Sequence, residues 1–176
     1  MALRHFLKYF DQDNLKPNAT YQVDFYRPTA QFPEWNRTNS RQEILDESLS
    51  WSTRNEQLIS MSRLVEYGAN VNSNPYQGTP LLWSIYSNSV ISSKWLIEQG
   101  ANPNQKHNFG GSEHGKGATA MHLAAQFGAL ECLRLLLEEG GDPYIKDDLY
   151  DSTALDWAQH AEMESSISLF LEFGVS

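Results

Sequence analysis

The chain has 176 residues, 40% of them hydrophobic and 20% charged; it is long enough for one compact domain or a short repeat array, and wholesale disorder is disfavoured. A net charge of −9 repels phosphate backbones and argues against general nucleic-acid binding. No apolar run reaches the roughly 18 residues of a membrane span, and the single cysteine, Cys132, allows no intrachain disulfide, which fits a reducing, cytoplasmic compartment.

The first segment, residues 1–44, opens on Met1-Ala2-Leu3-Arg4, with no signal-peptide run. Leu3, Phe6, Leu7 and Phe10 are spaced i, i+3, i+4, i+7, the stripe of an amphipathic helix. Tyr21-Gln22-Val23-Asp24-Phe25-Tyr26 alternates like a strand or extended segment, and Pro17, Pro28 and Pro33 interrupt the rest. The segment reads as an N-terminal cap for the remainder of the chain, with a separate functional appendage as the alternative. It carries six Lys/Arg against five Asp/Glu, whereas residues 45–176 carry seven against seventeen. The acidic part favours a basic or neutral partner.

From position 45 the chain repeats. Glu47-Ser48-Leu49-Ser50-Trp51-Ser52, Thr79-Pro80-Leu81-Leu82-Trp83-Ser84, Thr119-Ala120-Met121-His122-Leu123-Ala124 and Thr153-Ala154-Leu155-Asp156-Trp157-Ala158 align, and each start is followed 21 positions later by a glycine: Gly68, Gly100, Gly140 and Gly174. The starts are 32, 40 and 34 residues apart, and the long spacing coincides with a polar, Gly-rich insertion at residues 108–117. This gives units of about 45–76, 77–110, 117–150 and 151–176. Each predicts two short antiparallel helices. A Thr caps the first, Pro80 sits where no amide hydrogen is needed, and Met121, Leu123, Ala124 and Ala125 show the apolar stripe. The second helices are predicted at 91–97, 130–137 and 167–171, ended by the glycine. No unit can bury its apolar face alone, so the stack is the core.

These units resemble ankyrin repeats. Thr79-Pro80-Leu81 and Thr119-Ala120-Met121-His122-Leu123-Ala124-Ala125 match that family's Thr-Pro-Leu-His-x-Ala signature. Gly68-Ala69-Asn70, Gly100-Ala101-Asn102 and the variant Gly140-Gly141-Asp142 match its turn. Unit one departs from the pattern, with Glu47-Ser48 in place of Thr-Pro. The resemblance implies an all-α solenoid of about four helix-turn-helix repeats with a non-repeat N-terminal cap. It implies a protein-binding module without cofactor or catalysis, monomeric when free. Partners of such arrays contact the hairpin tips and the exposed side of each first helix. Carried over unit by unit, that points to Pro75, Tyr76, Lys116, Ala118, Leu149, Tyr150 and Ser152 at the tips. It points to Arg54, Tyr86, Gln126, Phe127 and His160 at the helix ends. Short stand-alone ankyrin proteins with unrelated N-terminal segments also resemble microbial effectors that act on a host protein in the host cytosol. An inhibitor or immunity protein neutralising a basic enzyme or toxin is the alternative.

Other chemistry is weak. There is no phosphate-binding Gly loop, Cys-x-x-Cys, His-Glu-x-x-His or Gly-x-Ser-x-Gly. His107, Glu113 and His114 could hold zinc only if a Gly-rich insertion preorganised them. His122 reads as a structural histidine bonded to the neighbouring repeat, and Cys132 as a packing residue. Trp51, Trp83, Leu123 and Trp157 share one register and read as core rather than as a binding strip. The insertion reads equally as a recognition element or a tolerated loop. The Asn18 and Asn36 glycosylation patterns read as chance matches.

Overall fold

The computed structural model describes residues 40–75, 78–108 and 115–176. The helix and extended segment expected before residue 40, together with Tyr76, Glu113 and His114, lie outside the described residues. Among the described residues eight helices form four pairs: α1 (Arg41–Arg54) and α2 (Leu58–Glu66), α3 (Pro80–Tyr86) and α4 (Val90–Glu98), α5 (Ala120–Phe127) and α6 (Leu130–Glu138), α7 (Ala154–His160) and α8 (Glu164–Glu172). Two short strands, β1 (His107–Asn108) and β2 (Lys116–Ala118), pair antiparallel between the second and third pairs, with His107 opposite Ala118. The all-α repeat architecture is the expected one. The addition is the strand pair, which closes the root of the insertion where a plain loop was expected.

The helix starts follow local chemistry. Thr79 accepts the amide of Leu82 and is followed by Pro80. Thr119 pairs reciprocally with His122, and Thr153 with Asp156. In the first unit the cap lies earlier: Ser40 and Glu43 form a capping box, and α1 runs on for 14 residues. Glu47 and Ser48 are therefore inside a helix, which explains why no Thr-Pro stands there.

The turn inside each pair has a shared backbone. Nine positions after each segment start, Glu56, Asn88, Gly128 and Glu162 all adopt positive φ, between 53° and 65°. Glycine takes this conformation freely, whereas a residue with a Cβ pays about 1 kcal/mol. Glu56→Gly and Glu162→Gly are each expected to raise stability by about 0.5 kcal/mol or more in urea titrations, the gain being reduced by the looser unfolded chain. Each second helix also closes alike. Gly68, Gly100, Gly140 and Gly174 have φ between 75° and 99°. The amides that follow them, of Ala69, Ala101, Gly141 and Val175, bond to carbonyls five residues back, of Leu64, Leu96, Leu136 and Phe170.

The first helices α1, α3, α5 and α7 pack side by side in one layer, and α4, α6 and α8 pack in a second. A single apolar cluster runs between the layers from Ile44 to Val175, through Leu49, Met61, Leu82, Leu96, Leu133, Leu136 and Phe170. Polar bridges join neighbouring units along one edge. Asn72 donates its side-chain amide to the Gly100 carbonyl at 2.9 Å and accepts the Asn102 N–H at 2.7 Å. Asn104 does the same for Gly140 and Asp142, at 3.0 and 2.7 Å. The first such bridge comes from α1, where Gln42 donates to the Gly68 carbonyl and Asp46 accepts the Asn70 N–H. The start of α1 thus does for the first unit what a preceding repeat would do. No helix among the described residues is long and apolar enough to cross a membrane.

Candidate protein-binding surface

The ends of the first helices bring side chains of three units into one strip. The Arg54 guanidinium, from the end of α1, lies 5.3 Å from the Trp83 ring and 5.1 Å from the Tyr86 ring. Tyr86 meets Trp83 edge-on at 6.0 Å and Phe127 edge-on at 6.3 Å. These geometries match the favourable cation–π and edge-to-face arrangements. Tyr86 nevertheless keeps 45% of its surface exposed and Phe127 53%. Large rings held in place by their neighbours yet open to solvent are what binding surfaces are made of.

The strip continues into a cleft. Gln126, beside Phe127, lines a cavity of about 350 Å³ with Tyr150, Ser152, Asp156, Trp157 and His160. The Gln126 side-chain oxygen is shielded from solvent and has no hydrogen-bond partner. Asp156 is exposed, and its Oδ2 accepts the N–H and hydroxyl of Thr153 at 2.7 and 2.8 Å.

The tip before α7 is built around one carboxylate. Asp147 is buried and accepts the N–H groups of Leu149, Tyr150 and Ser152 at 2.8, 2.6 and 3.2 Å and the Trp157 indole N–H at 2.9 Å. Burial by itself would raise its pKa, but these four donors together hold it below the ordinary aspartate value. Folding the loop around Asp147 turns Leu149 and Tyr150 outward, Tyr150 being 59% exposed. The Asp148 N–H donates to the Lys116 carbonyl, and Lys106 pairs with the Asp148 carboxylate at 2.6 Å, so the strand pair and this tip form one edge.

The structure thus groups Arg54, Tyr86 and Phe127 in the strip, Gln126, Tyr150 and His160 around the cleft, and exposed Lys116 and Leu149 on the tip edge. Tyr76 lies outside the described residues. One expectation needs correction. Leu123 and Trp157 are core residues, as their register implies, but Trp51 and Trp83 are only half-buried. The Trp83 indole donates to the Gly78 carbonyl at 3.1 Å and its ring faces Arg54, so Trp83 belongs to the strip. Sequence reasoning also missed Asp147 as the acceptor beneath this surface, and Asp156 and Trp157 as lining of the cleft. A short acidic tip carries no signal that one of its carboxylates is an internal acceptor.

The remaining candidates are structural. His122 Nδ1 contacts Thr119, its Nε2 lies 3.1 Å from the Ser152 carbonyl, and its ring meets Trp157 edge-on at 5.2 Å. Burial lowers its pKa, partly opposed by the Ser152 carbonyl and Asp147. Cys132 is buried, and burial pushes its thiol up, away from reactivity. His107 is buried with neither ring nitrogen bonded. Among the described residues no group of three His, Cys, Asp or Glu side chains could hold a metal ion.

Residues 94–175 match the family model described as Ankyrin repeats (3 copies). No curated protein was found that matches the chain. The match starts in α4, and the same glycine closures and inter-unit bridges extend the pattern back to α1. Over residues 94–175 the chain is built of ankyrin repeats.

Proposed function

We propose that this protein holds a protein partner against the strip of Arg54, Trp83, Tyr86 and Phe127 and the adjoining cleft at Gln126, Tyr150 and His160, with Lys116 and Leu149 at its rim. Ankyrin repeats are protein–protein interaction modules. The observation that carries the reading is the contiguity of half-exposed rings from adjacent units, ordered by contacts with one another before any partner arrives. Such preorganisation lowers the entropy lost on binding. The role is binding rather than catalysis. An effector acting in a host cytosol and an inhibitor of a basic enzyme would both work through this face. The net charge of −9 favours a basic partner in either case.

The test is capture of partners from native or host lysate, followed by titration of the captured protein. Tyr86→Ala with Phe127→Ala is expected to weaken binding by about 30-fold, the loss typical of central aromatic anchors. Circular dichroism should stay unchanged, since both rings are already solvent-exposed. Full retention of every partner by the double variant would remove the strip from the interface.

A further inference from the structure

We propose that the cleft between the third and fourth units receives an arginine side chain of the bound protein, an inference that rests on the binding role above and names the group recognised. The cleft of about 350 Å³ has room for one long side chain. Its lining includes the exposed ring of Tyr150 and the edge of the largely buried Trp157, and an aromatic face attracts a guanidinium laid over it. Two of its lining groups are acceptors, the Gln126 side-chain oxygen and the Asp156 carboxylate. The Gln126 oxygen is buried without a partner, and a turn of its side chain toward the cleft would let an entering donor satisfy it. Asp156 is bonded through Oδ2 to Thr153, and among the described residues no cation pairs with it. The nearby lysines are already engaged: Lys106 with Asp148 at 2.6 Å and Lys146 with Asp151 at 2.7 Å.

A guanidinium suits this site better than an ammonium. It presents five donors in a plane, so one group can stack on a ring and still reach two separated acceptors. A carboxylate side chain would meet the exposed Asp156 carboxylate, and an aliphatic one would leave the Gln126 oxygen unsatisfied.

The experiment titrates the isotope-labelled full-length chain with N-acetyl-arginine-N-methylamide and with its neutral citrulline counterpart, followed by nuclear magnetic resonance. The arginine compound is expected to shift the Gln126 side-chain amide and the Trp157 indole signals. The citrulline compound should bind at least about fivefold more weakly, the worth of one cation–π contact. Tyr150→Ala, a change at an exposed position, should weaken the arginine compound by a similar factor. Equal shifts from the two compounds, equal shifts from the corresponding lysine derivative, or shifts unaffected by Tyr150→Ala would overturn the proposal. Such a failure, combined with loss of partner capture in the Tyr86 and Phe127 variant, would leave the aromatic strip standing and remove only the arginine.

Discussion

Asp147→Ala is expected to destabilise the protein by about 3 kcal/mol or more, because it strips the acceptor from four buried or half-buried donors at once. The backbone N–H groups of Leu149, Tyr150 and Ser152 and the Trp157 indole N–H all lose their carboxylate acceptor. Asp147→Asn keeps one oxygen acceptor and should fall between the variant and the parent. Urea titration checks both. The function should suffer beyond the stability loss, since the same loop aims Tyr150 at the cleft. At permissive temperature Asp147→Ala should therefore bind its partner less well while α5 and α6 stay folded. An alanine variant as stable as the parent would show that the loop finds its shape without the carboxylate. Because the Asp147 pKa is depressed by folding, its contribution is present above the unfolded aspartate value and fades as pH falls through the folded one.

Lowering the pH from 7 to 5 is expected to cost about 2 kcal/mol of stability through His107 alone. Burial, assisted by the nearby His122, lowers the His107 pKa to about 3. The unfolded chain takes up a proton below the ordinary value of 6.5, while the folded one resists it until about 3. The unfolded state thus binds more protons across that window, and stability falls with pH throughout it. His122 is shifted the same way and adds to the slope. His107→Leu, which keeps the buried position apolar, should flatten the dependence. The check is the urea unfolding free energy of both proteins at pH 7 and 5. Equal losses in the two would locate the acid sensitivity elsewhere. The place most exposed to this loss is the strand pair, because His107 pairs with Ala118 at its root.

Much of the scaffold was readable because its signals are chemical. The Thr caps recur in the last three units and the closing glycines in all four, each at a fixed offset. The turn within each unit escaped notice because Glu56, Asn88, Gly128 and Glu162 share only a backbone conformation. Tyr86 and Phe127 could be placed on the surface from their register at the helix ends. Trp83 could not, since Trp157 holds the same register and is buried. Only the structure separates them: the Trp157 indole is drawn in by Asp147, whereas the Trp83 indole bonds the Gly78 carbonyl and its ring stays half-buried beside Arg54. His107 carried no sign of burial, because a histidine at the edge of a polar insertion looks like any solvated one.

The amide bridges also stop short of the last unit. Tyr144 stands two residues after Asp142, as Asn72 follows Asn70 and Asn104 follows Asn102, and a phenol ring, 60% exposed, replaces the bridging amide. Among the described residues no side-chain amide reaches the Gly174 carbonyl as Asn72 and Asn104 reach those of Gly100 and Gly140. Since each unit in such an array is held by its neighbours alone, opening should begin at the C-terminal end. Backbone amides of α8 should exchange with deuterium sooner than those of α6, and the wall of the cleft built from α7 should be the first part of the binding face to come and go.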